Sequence, residues 1–222
     1  MLSQLPSEHK NYDRTLPQLV SYPRTGSHWV RLVLEQYLNK YCLPTTFFDC
    51  DKNNYWGYHL HDRIVGEGAE GITGNFDKVI YLYRSPVDTI FSQVMFDRVD
   101  FTKSFNNSYI EQIMDEYYDH LERWLFDNDD IKNIIFVKYE DIKSDPVDIF
   151  SKILAFLNYN IDKKKLEAIC KKTTIKKSKE KTSFDSSIIN RDHFNGEYDI
   201  KKKEFTKKYK KYILSEFLPV WK

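Results

Sequence analysis

The chain has 222 residues, enough for one large domain or two small ones, and 41% of them are hydrophobic, enough for a real core. No apolar run approaches the roughly 18 residues of a membrane-crossing helix, no basic-then-apolar leader opens the sequence, and Cys42, Cys50 and Cys170 form no C-x-x-C pair, so a soluble cytoplasmic protein with reduced thiols is expected. The net charge of +1 divides unevenly: residues 161–222 carry a balance of +9 and the rest −8, so the last third is either a solvated lysine face or the seat of an anionic partner.

Residues 1–14 are polar and read as a surface arm on a single domain that spans 1–222. Leu16 to Tyr22 reads as a buried strand. The turn SYPRTGSH follows, from Ser21 to His28. Apolar residues at Val30, Val33, Leu34, Tyr37, Leu38 and Tyr41 then keep helical period. Residues 45–49 suggest a second short strand. Val79 to Tyr83 (VIYLY) is a further strand, stopped by Arg84-Ser85-Pro86. Pro86 suits the first helical position and Ser85 an N-cap, with Val87, Ile90, Phe91 and Val94 as the buried stripe.

A longer helix is marked by Ile110, Ile113, Met114, Tyr117, Leu121, Trp124 and Leu125. Ile134 to Lys138 reads as a strand, and Asp145-Pro146 opens a helix carrying Ile149, Ile153, Phe156 and Leu157. Residues 200–222 form a C-terminal amphipathic helix with Phe205, Tyr209, Tyr212, Ile213 and Phe217 on one side. Strands alternating with helices predict an α/β fold: a central, mostly parallel sheet flanked by helices on both faces. The turns 21–28 and 84–92 then follow strand C-termini, the edge where open α/β sheets bind ligands.

A strand-turn-helix with Gly26 in the turn directs main-chain N–H groups and the positive end of a helix at one point, which suits an anion. Arg24 adds a fixed charge, Thr25 and Ser27 add hydroxyl donors, and Trp29 offers an aromatic face to a base or sugar. A magnesium-nucleotide phosphate loop would carry an earlier glycine and a lysine after Gly26, and both are missing. No acidic residue ends Val79–Tyr83 as a magnesium ligand would. A phosphate-like group that needs no metal fits better.

Tyr22-Pro23-Arg24-Thr25-Gly26-Ser27-His28-Trp29 resembles the 5′-phosphosulfate loop of the sulfotransferases that use 3′-phosphoadenosine 5′-phosphosulfate (PAPS). Four more stretches resemble that family's elements, in the family's order. Val79 to Asp88, with Ser92 eight residues beyond Arg84, is similar to the 3′-phosphate element. Phe136 to Pro146, followed by Lys152 to Leu157, is similar to the family's Tyr-Glu-Asp segment, and places Tyr139 beside the nucleotide or simply in the core. Thr182-Ser183-Phe184 resembles the adenine element, in which the threonine meets the amino group and the phenylalanine stacks on the ring. In Arg191 to Tyr198 the family's Arg and second Gly fall on Arg191 and Gly196; Asp192, His193, Glu197 and Tyr198 depart from its Lys, Gly, Asp and Trp.

The resemblance implies a three-layer fold like that of the P-loop NTPases, PAPS as donor, its desulfated product 3′-phosphoadenosine 5′-phosphate (PAP), and no required metal. It implies a 3′-phosphate clamp of Arg84, Ser92 and Arg191, and Asp88 in a structural role. Arg24 would stabilise charge on the departing phosphate, since a guanidinium does not readily give up its proton. His28, where the family has Thr or Ser, would contact the donor.

The acceptor must lose a proton. His59-Leu60-His61-Asp62 occupies the stretch where the family carries its histidine, so His61 is the first choice of base and His59 the second. A histidine near its ordinary pKa of ~6.5 suits that task. The same H-x-H-D could be a partial metal site or two satisfied core histidines. The expected acceptor is a small-molecule or glycan hydroxyl, or an amine. No nucleic-acid partner and no stable membrane insertion are expected. A P-loop nucleoside or sugar kinase, and a nucleotide-binding module without catalysis, stand as alternatives.

Overall fold

Alternating side chains along two central strands sort the core into two halves. The computed structural model describes residues 16–43, 54–61, 77–96, 107–126, 133–173 and 197–218. Strands β1 (Gln18–Ser21), β2 (Tyr41–Leu43), β3 (Tyr55–His61), β4 (Val79–Tyr83) and β5 (Ile134–Lys138) pair in parallel, in the order β2-β3-β1-β4-β5. On one face, Val20, Tyr22, Val79 and Tyr81 pack against α2 (Pro86–Phe96), α3 (Asn107–Leu125) and the C-terminal helix α7 (Glu197–Phe217). On the other, Leu19, Ile80, Leu82 and Val137 pack against α1 (Ser27–Leu38), α5 (Pro146–Phe156) and α6 (Lys163–Lys172). A short α4 (Tyr139–Ser144) follows β5 directly. Period-2 burial on both faces is what a covered parallel sheet requires. The three-layer α/β architecture is the one expected.

The strand order sets the site. From β1 the chain runs outward through α1 to β2 and β3; β4, on the other flank of β1, leads away to β5. The two directions part between β1 and β4, whose registers match from Gln18↔Val79 to Ser21↔Leu82. Such a parting opens a crevice at the strands' C-terminal ends, and both of the polar turns lie there. β3 approaches β1 from the other side through Gly57: a Cβ there would stand 2.6 Å from the Pro17 carbonyl oxygen.

Several elements differ in detail from the sequence reading. Helix α1 stops at Leu38 because Asn39 takes a left-handed conformation (φ 53°), so Tyr41 begins β2 rather than extending the helical stripe. Asn tolerates that conformation better than most residues, which makes it a helix stop. Residues 45–49 and the 1–14 arm lie outside the described residues. Ser85 takes the N-cap position by its carbonyl, which accepts from Thr89 N–H at 2.9 Å. The Asp145 carboxylate caps α5, accepting from Asp148 N–H at 3.0 Å. Helix α7 begins at Glu197 and buries Phe205, Tyr209, Ile213 and Phe217; Tyr212 lies on the flank of that stripe and is 44% exposed.

Cys42 and Cys170 are free and buried. Burial pushes their thiols up from 9.0, to about 12 for Cys42 and about 11 for Cys170. The folded state therefore favours the neutral thiols. Their contribution to stability is intact below pH 9, where the unfolded thiols are also neutral, and is lost as pH climbs toward the folded values. Native protein at pH 8 should leave both residues largely unalkylated by iodoacetamide, and urea should expose both; site-resolved mass spectrometry reads each cysteine. Rapid native labelling of Cys42 would contradict this packing.

Candidate functional site

The first turn leaves β1 at Ser21 and enters α1 at Ser27. Arg24 (φ 68°) and Gly26 (φ 104°) both hold left-handed conformations, which reverse the chain within a few residues. Gly26 O accepts from Trp29 N–H at 3.0 Å, the first bond of α1. The N–H groups ahead of it have no acceptor within the helix, and the helix dipole adds positive potential. The Thr25 hydroxyl is fully buried and donates to Tyr22 O at 2.7 Å. It braces the turn, so the expected outward hydroxyl is not available and Thr25 can reach a ligand only through its main chain. Ser27 is buried and His28 half-buried.

Trp29 lies beneath the turn. It is 9% exposed and meets Phe150 and Tyr139 edge-on, at 6.4 and 6.2 Å between ring centroids. Its indole packs in the core beneath the turn, with a small part left exposed.

The second turn converges on the first. Arg84 Nη1 donates to the Arg24 carbonyl at 3.0 Å, and the Arg84 guanidinium lies 4.7 Å over the Tyr139 ring. Arg84 Nε is buried with no hydrogen-bond partner among the described residues. Arg24 Nε–H donates to Ser92 Oγ at 3.4 Å, and its guanidinium lies 4.7 Å over Phe96. Two guanidinium groups, a hydroxyl and the N-termini of α1 and α2 thus meet at the β1/β4 crevice. Tyr139 is the floor between the turns: a Cβ on Gly26 would stand 2.4 Å from its Cδ2. Burial raises the Tyr139 hydroxyl pKa, against the opposing pull of Arg84.

Two residues the sequence reading passed over hold Arg84 in place. The Tyr117 hydroxyl donates to Arg84 O at 2.6 Å and accepts from Arg84 N–H at 3.2 Å. Burial pushes that hydroxyl's pKa far up, keeping it protonated. The Glu140 carboxylate accepts from Ser85 N–H at 3.0 Å. The signal for Glu140 was its place in the Tyr-Glu-Asp stretch; for Tyr117 spacing indicated only core. Asp88 pairs with Lys202 at 2.6 Å and fastens α7 to α2, the structural role expected of it.

At the entry to α7, the Tyr198 ring packs at a tilt on Phe91, 5.0 Å between centroids. Burial raises the pKa of its hydroxyl, opposed by Arg84, Lys202, Ser92 and Arg24. The position that departs from the resembled pattern therefore lies within the constellation.

His59 is 6% exposed, with Nε2 at 3.1 Å from Ser21 Oγ and Nδ1 at 3.5 Å from Arg31 Nη1. A guanidinium can only donate, so Nδ1 faces it as an acceptor and Nε2 carries the proton. Arg31 in turn donates to Cys42 O at 3.0 Å and lies 3.7 Å from Glu35. Both ring nitrogens of His59, proposed as second-choice base, therefore face groups of the fold, Ser21 and Arg31. His61 ends β3, opposite Ser21 in register, at the crevice edge of the sheet. Asp62, Thr182, Phe184, Arg191 and Gly196 lie outside the described residues. Among the described residues no helix is long and apolar enough to cross a membrane.

The family of sulfotransferase domains matches residues 70–217, which include Arg84, Ser92, Tyr139 and Tyr198 and exclude the first turn. An amine sulfotransferase of Oryctolagus cuniculus is 24% identical over 187 residues, covering 72% of this chain and 62% of that one. A flavonol 3-sulfotransferase of Flaveria bidentis is 26% identical over 186 residues, covering 68% and 59%. The chain thus spans about three-fifths of the length of these two relatives. The crystal structure of mouse sulfotransferase SULT7A1, complexed with PAP, superposes with a TM-score of 0.60 at 20% identity, covering 90% of this chain and 85% of that one.

Proposed function

The chain belongs to the sulfotransferase domain family, and from that premise we propose that it moves a sulfuryl group from PAPS to a hydroxyl or amine acceptor, releasing PAP. The observation that carries the reading is the convergence of Arg24, Ser92 and Arg84 at the β1/β4 crevice. A nucleotide with anionic groups at both its 3′ and 5′ positions fits this arrangement. Arg84 Nε is a buried donor with no acceptor among the described residues, and a phosphate oxygen would satisfy it. The family match and a solved neighbour that holds PAP support the same donor. They do not favour the kinase alternative.

PAPS, when bound, supplies the activated sulfuryl group and a phosphate leaving group. The rest falls to this chain. The main-chain N–H groups of Gly26, Ser27 and His28, at the positive end of α1, would bind the 5′ group. Arg84 and Ser92 would hold the 3′-phosphate, joined by Arg191. Arg24 now rests on Ser92, and a 3′-phosphate engaging Ser92 would free its guanidinium to neutralise charge on the 5′ side. His61, at the end of β3, is the proposed base; its partner strand carries the turn itself. Thr182 and Phe184 are proposed for the adenine. The acceptor is a small molecule or a glycan, and the buried free thiols of Cys42 and Cys170 suit a cytoplasmic setting.

Titration with PAP, AMP and ATP in the absence of metal tests the donor. PAP should bind in the micromolar range and at least tenfold more tightly than either control. Transfer of labelled sulfate from PAPS to a panel of phenols, alcohols and amines tests the chemistry. Equal binding of PAP and AMP would sink the assignment.

A further inference from the structure

We propose that the solvent-facing stripe of α7 is a docking surface for an anionic lipid bilayer, held by Lys203, Lys207, Lys210 and Lys211 and anchored at its two ends by Ile200 and Leu218. The proposal does not depend on the donor reading above. Helix α7 turns Phe205, Tyr209, Ile213 and Phe217 into the core and leaves the opposite side to solvent. On that side Ile200, Lys207, Lys211, Leu214 and Leu218 recur at helical spacing, with Lys203 and Lys210 beside them. All four lysines are exposed. Ile200 is 59% exposed and Leu218, just past the helix end, 61%. The two apolar ends stand about 27 Å apart along the helix axis.

Charge is sorted around the helix. Lys201 pairs with Glu204 and Lys202 with Asp88, whereas no ion pair among the described residues involves Lys203, Lys207, Lys210 or Lys211. Lys203, Lys207 and Lys211 follow one another at four-residue spacing, which sets like charges face to face. An anionic surface relieves that repulsion. Glu111, Asp115 and Glu216 gather instead around Tyr212 on the α3 side of α7, where they line a pocket with Tyr118 and Phe217. A dissolved polyanion would use the lysines alone. A bilayer uses the apolar ends as well: ammonium groups reach the headgroups while the Ile200 and Leu218 side chains enter the interface. The helix stays outside the hydrocarbon, so adsorption is reversible. Tyr198, two residues before Ile200, packs on Phe91 beside Ser92, so one end of the stripe adjoins the crevice. A bilayer engaged there would bring the crevice to acceptors dissolved at the interface.

The test is cosedimentation of the full chain with vesicles of phosphatidylcholine alone and of phosphatidylcholine equimolar with phosphatidylserine, over a range of sodium chloride. The expected result is binding to the mixed vesicles only, falling as salt rises. The double variant Lys207→Gln/Lys211→Gln should weaken that binding about 25-fold, roughly fivefold for each charge removed. Ile200→Ser should weaken it about threefold at every salt concentration. Both variants should keep the wild-type melting temperature and circular-dichroism spectrum. Equal binding to the two kinds of vesicle, or none to either, would overturn the proposal. So would mixed-vesicle binding unchanged in the lysine variant, which would place the contact elsewhere on the chain. No response to Ile200→Ser, with heparin displacing the protein from the vesicles, would make the stripe a general polyanion surface and overturn the bilayer as its occupant.

Discussion

Arg84→Ala should weaken PAP binding by about a hundredfold while leaving AMP binding within a factor of two or three. Charge-assisted hydrogen bonds contribute roughly 1.5–3 kcal/mol each, and every 1.4 kcal/mol is a factor of ten. Arg84 is positioned for such a contact by more than its charge. Tyr117 and Glu140 fix the main chain on which it stands, Tyr139 lies under its guanidinium, and Nη1 is committed to the Arg24 carbonyl. Nε remains, buried and without a partner among the described residues. Arg84→Lys should recover part of the affinity, because an ammonium restores the charge and not the fork. Losing the bond to the Arg24 carbonyl costs the first turn some support, so melting temperature must be read with the titration. Similar losses for PAP and AMP would show that Arg84 stabilises the crevice without discriminating the 3′ position.

This constellation was legible in the sequence where its chemistry is local. Gly26 before a helical stripe, and Arg84-Ser85-Pro86 after a β-rich run, are signals carried by a few neighbouring residues, and both turns fall at strand C-termini as read. Two-faced burial of β1 and β4 follows from runs with no polar alternation. What could not be read is set by partners far along the chain. Thr25 and Trp29 look alike as polar-turn neighbours on paper; the Tyr22 carbonyl takes the hydroxyl of one, and the other meets Phe150 and Tyr139 in edge-type contacts. That the two ring nitrogens of His59 face Ser21 and Arg31 is likewise set by residues distant in the chain. Tyr117 is core by its spacing, and only its approach to Arg84, 33 residues away, gives its hydroxyl a role. Asn39 shows the reverse: a local stop signal was present and the apolar period read through it.

Gly26→Ala should lower stability by about 2–5 kcal/mol and abolish measurable PAP binding. Two costs add. An L-residue pays roughly 1–2 kcal/mol in a left-handed conformation, and a φ of 104° lies beyond even the favoured part of that region. The new methyl also has no room: Tyr139 Cδ2 and Cε2 would stand 2.4 and 2.5 Å away. Overfilling a packed site costs roughly 1–3 kcal/mol. The ring cannot retreat freely, with the Arg84 guanidinium over its face and Trp29 against it. The loop would yield instead, turning the N–H groups of residues 26–28 away from the crevice and loosening the Arg24 carbonyl that Arg84 holds. The two costs separate in a double-mutant cycle with Tyr139→Ala, read by urea unfolding. Removing the ring should abolish the steric part, so that Gly26→Ala costs only about 1–2 kcal/mol in that background. An equal cost in both backgrounds would assign the whole effect to backbone conformation. A Gly26→Ala protein as stable as the wild type would mean that the turn does not sit on Tyr139 in solution.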